Sequence, residues 1–560
     1  MNEILFILLL IQFSLTYSKT IETDNLNLAI SEALPGDTIL LKAGIYSSIP
    51  YNLKSGEEGK LITIKAIDGD SVMFIGNKES SSCIFELNEI SYISIEGPFE
   101  LKDAFCGIKA MDVSNIKISG LTIHDTQQHA LVISGENNGI SNNEIFNCVL
   151  ENKESSKNIT YGWSKCVEIR GKHNNSYFSN DILLNNNNIH NTWGEGLYFQ
   201  KCDICSAVGN NITNAFSMNM YIDKSKNIII NRNILRVNSD EHDSHLGNAC
   251  GIGLSSEGGN INILDNIIIQ NNIIIGTRIA IYFFQRGFSG YNKIKILHNT
   301  IWYISVTSLY FENPSNSPLD CELRNNLIYI DNWIADFYPK KSWTIGNNYF
   351  YNYSKVPNEY KDTDGKSKAI QDLDFDKIFN NRFNNCNYYD KNIDIECFRP
   401  STVPDDSFNL YHNGSKSTII ENKDYSGCIR DDTNPTIGAF EFFRLCLEYD
   451  VQLKFIINYN TKANGDIGLT GSLWSWKNIV QFNYEDENNW TYLFTHPPEY
   501  FEYKFVHVIG NEIKTWENGG NRIFNLNDLV KNIKLNYKGE YENCQYEKNQ
   551  NIVILECFWK

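Results

Sequence analysis

The 560-residue chain is short of positive charge: 49 lysines and arginines face 67 aspartates and glutamates, a formal net charge of −18. So acidic a surface repels phosphate backbones and anionic headgroups, which excludes nucleic acid and anionic membrane as natural partners. Long apolar runs are missing too. The run Ile4–Phe13 is too short to cross a bilayer, and nothing downstream is apolar enough to anchor the chain. With Ser14-Leu15-Thr16-Tyr17-Ser18 behind it, that run reads as a signal peptide, residues 1–18, cut near Lys19, even though Met1-Asn2-Glu3 carries no basic residue. Metal-ligand spacing is scarce. Cys202-Asp203-Ile204-Cys205 has no second C-x-x-C to complete a zinc site, which leaves it a structural role. The expectation is a secreted, extracellular, monomeric protein with no metal and no cofactor. Sequons at Asn158, Asn174, Asn211, Asn352, Asn413 and Asn489, and 14 cysteines available for disulfides, agree with that compartment. Cys386, Cys397, Cys428 and Cys446 cluster together, as do Cys544 and Cys557. Asp240-Glu241-His242-Asp243-Ser244-His245, rich in ligand types, reads as a solvated loop.

What the chain has is a repeat. An asparagine followed by a short apolar run recurs as Leu121-Thr122-Ile123, Asn143-Glu144-Ile145, Asn188-Ile189, Asn211-Ile212, Asn233-Ile234, Asn272-Ile273, Thr300-Ile301, Asn326-Leu327 and Asn348-Tyr349, most steps being 22–28 residues. Such a period is one coil of a right-handed parallel β-helix, in which short strands point apolar side chains into a continuous core and asparagines stack at the bends. The longer steps hold either two coils or an insertion.

A second phrase precedes the first in seven coils, as in Gly196-Leu197-Tyr198-Phe199-Gln200 and Asn219-Met220-Tyr221-Ile222-Asp223. Its second and fourth residues are apolar and point inward by strand alternation, so its third and fifth line an outer face. The third column reads Val132, Glu168, Tyr198, Tyr221, Gly253, Tyr282, Tyr310, and the fifth Ser134, Arg170, Gln200, Asp223, Ser255, Phe284, Glu312. A ladder of exposed tyrosines with interspersed charge suits a linear polysaccharide, and Tyr198, Tyr221, Tyr282 and Tyr310 are its candidate groove residues.

Near the C-terminus, Phe501-Glu502-Tyr503-Lys504-Phe505-Val506 alternates like a strand, followed by Lys514-Thr515-Trp516-Glu517 and Gly520-Asn521-Arg522 on flanking loops. An exposed indole beside hydrogen-bonding groups fits the apolar face and the hydroxyls of a sugar ring. These phrases resemble the starch-binding domain, carbohydrate-binding module family 20, with its F-E-Y-K-F, W-E and N-R hallmarks. Gly471-Ser472-Leu473-Trp474-Ser475-Trp476 is similar to its G-S…W turn, and Asn489-Trp490-Thr491-Tyr492-Leu493 to its central strand. The resemblance implies an antiparallel β-sandwich over residues 446–560 that binds starch or a related α-1,4-glucan. Trp516 would be the principal platform, Trp476 (or Trp474) the second, and Lys504, Glu517 and Asn521 the hydroxyl partners; bracing the loop is the alternative role for Lys504 and for Arg522. Ala463 stands where the family's second site has a tyrosine, although Tyr484 keeps the other aromatic, so one working site is implied.

The start of the chain, Ala29 to Leu41 and then Gly44-Ile45-Tyr46, resembles the first turn of secreted β-helix proteins of the pectate-lyase-like superfamily, where an amphipathic helix caps the open end. Cys428-Ile429-Arg430-Asp431-Asp432 with Pro435-Thr436-Ile437-Gly438-Ala439-Phe440-Glu441 resembles their closing phrase, and Trp193-Gly194-Glu195-Gly196 another frequent one. The implied β-helix domain covers residues 19–443. The superfamily contains polysaccharide lyases and glycoside hydrolases, but neither the polygalacturonase motifs nor the pectate-lyase W-i-D-H phrase is present. Glu168, Arg170 and Asp223 are the candidates for a catalytic remnant, with Ca²⁺ implied only for a lyase. Two functions stand side by side: a glucan-binding protein whose β-helix recognises polysaccharide, and a lyase or hydrolase targeted by its starch-binding tail.

Overall fold

The computed structural model describes residues 18–47, 53–148, 165–237, 249–257, 263–285, 289–302, 304, 306–329, 343–351, 424–426, 430 and 438–440, together with the backbone of strands between 450 and 559. From Thr20 to Tyr351 the strands join one 31-stranded sheet whose pairings are all parallel, each strand bonded to its counterpart one coil on. This is the expected parallel β-helix. Ile123, Ile145, Ile189, Ile212, Leu235, Ile274, Ile301, Ile328 and Phe350 form one unbroken inward column. All are buried, so each coil rests its apolar face on its neighbours. The direct pairing of Ile145 with Ile189 shows that the long step there is a single coil carrying an insertion.

A helix, Leu26–Glu32, precedes the first coils; Asn25 caps it by accepting from the Leu28 amide at 3.1 Å, and it buries Leu26, Ala29 and Ile30. Of the closing phrase, Arg430 and residues 438–440 are described, and they bond to the coils of Asn271, Thr300 and Asn325. Buried Arg430 donates to Asn271 Oδ1 at 2.7 Å and to the carbonyls of Gly438 and Ala439, while the Gly438 and Ala439 amides bond to the Asn325 carbonyl and Thr300 Oγ1. Cys83 and Cys106 face each other on adjacent coils and form a disulfide. Among the described residues, no helix is long and apolar enough to cross a membrane.

The bends carry an asparagine ladder. Asn143, Asn187, Asn210, Asn233, Asn272, Asn299, Asn326 and Asn348 are buried, and the Nδ2 of each of the first seven donates to the next Oδ1 at 2.8–3.0 Å. In three coils the ladder residue is therefore Asn187, Asn210 or Asn299, not the expected Asn188, Asn211 or Thr300. The residue ahead of each ladder asparagine has positive φ, usually an asparagine, which tolerates that conformation.

Beyond Asp450 the strands form two sheets. Tyr500–Ile509 is a strand, as its alternation indicates, and pairs antiparallel with Asp466–Gly471, Glu512–Trp516 and Arg522–Asn525. The other sheet departs from a purely antiparallel arrangement: Asp450–Asn458 runs parallel to Ile552–Trp559. Its register sets Cys544 opposite Cys557.

Candidate functional site

The seven phrases stack in the expected register. Val132, Glu168, Tyr198, Tyr221, Gly253, Tyr282 and Tyr310 are successive partners, and Leu131, Val167, Leu197, Met220, Ile252, Ile281 and Leu309 form a buried column beside them. The face is not an exposed ladder, however. Tyr198 and Tyr221 are 4% and 5% exposed, and Glu168 and Asp223 2%. Parallel register brings identical rings within stacking distance: Tyr198 and Tyr221 lie 5.0 Å apart with an interplanar angle of 23°, and Tyr282 lies 5.2 Å from both Phe284 and Tyr310. Met218, Cys250 and Phe284 join the rings in an apolar cluster outside the solenoid core. The Met218 sulfur sits where a Gly253 side chain would be, since a Cβ there would come within 1.9 Å of it.

The expected polar residues are largely occupied. Arg170 grips Glu168 with two bonds, the shorter 2.7 Å. Asp223 accepts from the Tyr198 hydroxyl at 3.0 Å and from the Glu257 amide at 2.8 Å. Burial raises the Asp223 pKa, opposed by those bonds and by Lys224. Tyr198 and Tyr221 have phenol pKa values raised by burial first and by the Asp223 charge second. Tyr282, half-buried, donates to Glu312 at 2.6 Å.

The unpartnered chemistry lies three residues before the tyrosine column. There Lys165, Glu195, Met218, Cys250 and Ile279 are register partners. They line a cleft of about 770 Å³ together with Tyr198, Tyr221, Tyr282, Phe284, Glu257, Arg278 and Glu312. Lys165 Nζ sits 5.1 Å over the Tyr198 ring. Glu195 is 5% exposed, and its Oε2 has no hydrogen-bond partner among the described residues. Burial pushes its carboxyl up to about 8, with Lys165 opposing and Glu168 and Glu257 adding to the rise. At neutral pH Glu195 is thus a carboxylic acid, with a proton to give. The sequence phrase Trp193-Gly194-Glu195-Gly196 contained this residue, but strict alternation counted back from Tyr198 turns Gly196 outward instead. In the structure, position 196 faces inward, where a Cβ would meet Ile212 at 2.7 Å and the Asn219 carbonyl at 2.8 Å, so only glycine fits and Glu195 takes the outward place.

The remaining expectations fall elsewhere. Lys504 pairs with Thr470, and Trp516 with Val506, on one sheet. Trp474, Trp476, Glu517, Asn521 and the Asp240–His245 segment lie outside the described residues. Among the described residues, no group of three or more His, Cys, Asp or Glu is placed to hold a metal ion.

No protein-family model matches the chain, and no curated protein matches it. Solved structures are similar to it in part. A chain titled pectate lyase Pel9A is matched over 97% of its length and 76% of this one, at 15% identity and a TM-score of 0.42. A complex of XylC with xylose is matched over 98% and 76%, at 11% identity and 0.45. The polygalacturonase from Erwinia carotovora is matched over 96% and 59%, at 12% identity and 0.37. At these identities and scores no fold, substrate or residue role passes from those chains to this one.

Proposed function

We propose that the chain is a secreted polysaccharide-binding protein, with one glycan site in the cleft of its β-helix and a second, for starch or a related α-1,4-glucan, in its C-terminal region. The observation that carries the first site is the cleft itself. It combines tyrosine and phenylalanine rings, an apolar floor and convergent hydrogen-bonding groups on consecutive coils, the mixture that takes a sugar's C–H face and its hydroxyls together. Register repeats the set along the solenoid axis at roughly 4.8 Å per coil, which favours an extended chain of sugars over a single ring. The second site rests on the sequence phrases around Trp516, Lys504, Glu517, Asn521 and Trp476. A lyase or hydrolase is the second reading, and the unpartnered Glu195 acid favours it.

Affinity electrophoresis of the full chain in gels containing different polysaccharides tests both sites. Trp516→Ala is expected to abolish retardation by starch, and Tyr282→Ala to weaken retardation by the glycan held in the cleft. Retention of granular starch by the Trp516→Ala protein equal to that of the parent overturns the C-terminal assignment. Unchanged retardation of Tyr282→Ala by every glycan that slows the parent overturns the cleft assignment.

A further inference from the structure

Three places have chemistry that glycan binding leaves unused: the stacked His124-Phe146-His190 column, the second cleft beside Lys60 and Lys117, and the Glu195 corner of the sugar cleft. In the first, both His124 nitrogens are bonded, to Glu100 and Asp125, and His190 Nε2 is bonded to Glu144, so the column is tied to its own acidic neighbours. The second has no buried polar group left without a partner. The third does.

We propose that Glu195 is the proton donor, and Glu257 the water-activating base, of a centre that hydrolyses glycosidic bonds in a neutral polysaccharide. The inference rests on the cleft being a glycan site, and three observations support it. Glu195 lines the cleft wall, and its buried Oε2 has no protein partner to give up when a ligand oxygen reaches it. Glu257 lines the same cleft, near enough that its charge adds to the raised pKa of Glu195. Two carboxyl groups, one buried and protonated and one more open, are the pair that glycoside hydrolysis requires. The substrate class follows from charge. Lys165 and Arg278 in the cleft are matched by Glu257 and Glu312, so it has no excess positive charge to attract a polyuronate.

The chemistry balances without a redox partner. Glu195 gives its proton to the glycosidic oxygen as the bond from that oxygen to the anomeric carbon breaks. Water adds to the anomeric carbon, and Glu257 takes the proton that water loses. One water is consumed and two shorter glycans leave, one bearing a new reducing end. The two carboxyls then return to their starting protonation through solvent.

The test uses the full chain carrying Trp516→Ala, which silences the C-terminal site, on pullulan, amylopectin, xylan and galactomannan beside polygalacturonate and alginate. New reducing ends, absorbance at 235 nm and retardation in glycan gels are measured. The expected result is reducing ends from a neutral glycan with no absorbance at 235 nm. Glu195→Gln, which keeps the shape and the neutrality, should lower the rate at least about 100-fold while retardation persists, and Glu257→Gln should do the same. The parent rate should fall as pH rises through about 8. A glycan retarded through the cleft but never cleaved overturns the hydrolytic inference and leaves the binding reading standing. Cleavage unaffected by Glu195→Gln overturns it, as does an unsaturated product absorbing at 235 nm. Failure of every glycan to bind this protein overturns the cleft reading beneath it.

Discussion

Two kinds of buried polar residue behave in opposite ways in this molecule. The ladder asparagines are fully satisfied. Asn233 accepts from the Asn210 amide and Nδ2, and donates to the carbonyls of Ala207 and Asn231 and to Asn272 Oδ1. Truncating it orphans groups in both neighbouring coils, and each buried orphan costs about 1–3 kcal/mol. Asn233→Ala is therefore expected to destabilise by about 3 kcal/mol or more, read as a lowered thermal midpoint, whereas Asn211→Ala, on the half-buried position beside the ladder, should cost much less. Glu195 is the reverse case, because its burial favours the protonated form. Facing it are Lys165 and Glu168 on the preceding coil, Tyr221 on the following coil, and Glu257. Between pH 4.5, its ordinary value, and about 8 the unfolded chain has lost the proton and the folded chain keeps it. Stability from this group thus falls by about 1.4 kcal/mol per pH unit across that window and levels off above it. Glu195→Gln is expected to match the parent below pH 4.5 and to become more stable by a few kcal/mol toward pH 8, followed by thermal denaturation across that range. Parallel curves for the two proteins would mean that Glu195 is ionised in the folded state.

At the scale of the strand, alternation was enough to read the sequence where it holds. The columns Leu197-Met220-Ile252 and Tyr198-Tyr221-Tyr282 were both legible, because a two-residue period fixes which side faces in once an apolar pair is found. It failed at the strand's first residues, where Gly196, Asn219 and Gly251 are packed inward next to an inward neighbour, which hid Lys165 and Glu195 from a count by twos. The ladder phase failed for a different reason. Asn187-Asn188 and Asn210-Asn211 offer the same side chain at adjacent positions, and only the hydrogen bonds between coils choose one. The burial of Tyr198 and Tyr221 was invisible because it comes from neighbouring coils, not from their own strand. The closing segment was legible as a phrase, and the structure supplies its physical basis. The Arg430 guanidinium serves one asparagine and two carbonyls at once, geometry a lysine cannot reproduce. Arg430→Lys is expected to lower stability by about 2–4 kcal/mol through the buried acceptors it abandons, and to raise hydrogen exchange in the coil around Asn325 ahead of the coils nearer the N-terminus. Uniform loss of protection would sink the idea that this contact acts locally.

Across the whole solenoid the strand pairing of each coil runs to its immediate neighbours, and only single side-chain bonds such as Trp343 Nε1 to the Tyr291 hydroxyl reach two coils away, so stability adds largely along the axis and a local weakness stays local. The Cys83–Cys106 disulfide joins two adjacent coils near the N-terminal end and closes a loop with a sequence separation of 23. By loop-closure entropy such a link is worth about 3 kcal/mol, chiefly through the unfolded state. The sugar cleft begins at Lys165, two coils beyond Cys106, with the single coil that carries Leu131 and Ile145 in between. A protein with both Cys83→Ala and Cys106→Ala should consequently show early hydrogen exchange and proteolytic nicking in the coils around residues 83–118, while retardation by the glycan held in the cleft stays as in the parent. If removing the link instead weakened glycan retention and exposed the Glu195 region at the same temperature, the coils would be unfolding as one cooperative block. The nearest-neighbour account of this solenoid would then have to be abandoned.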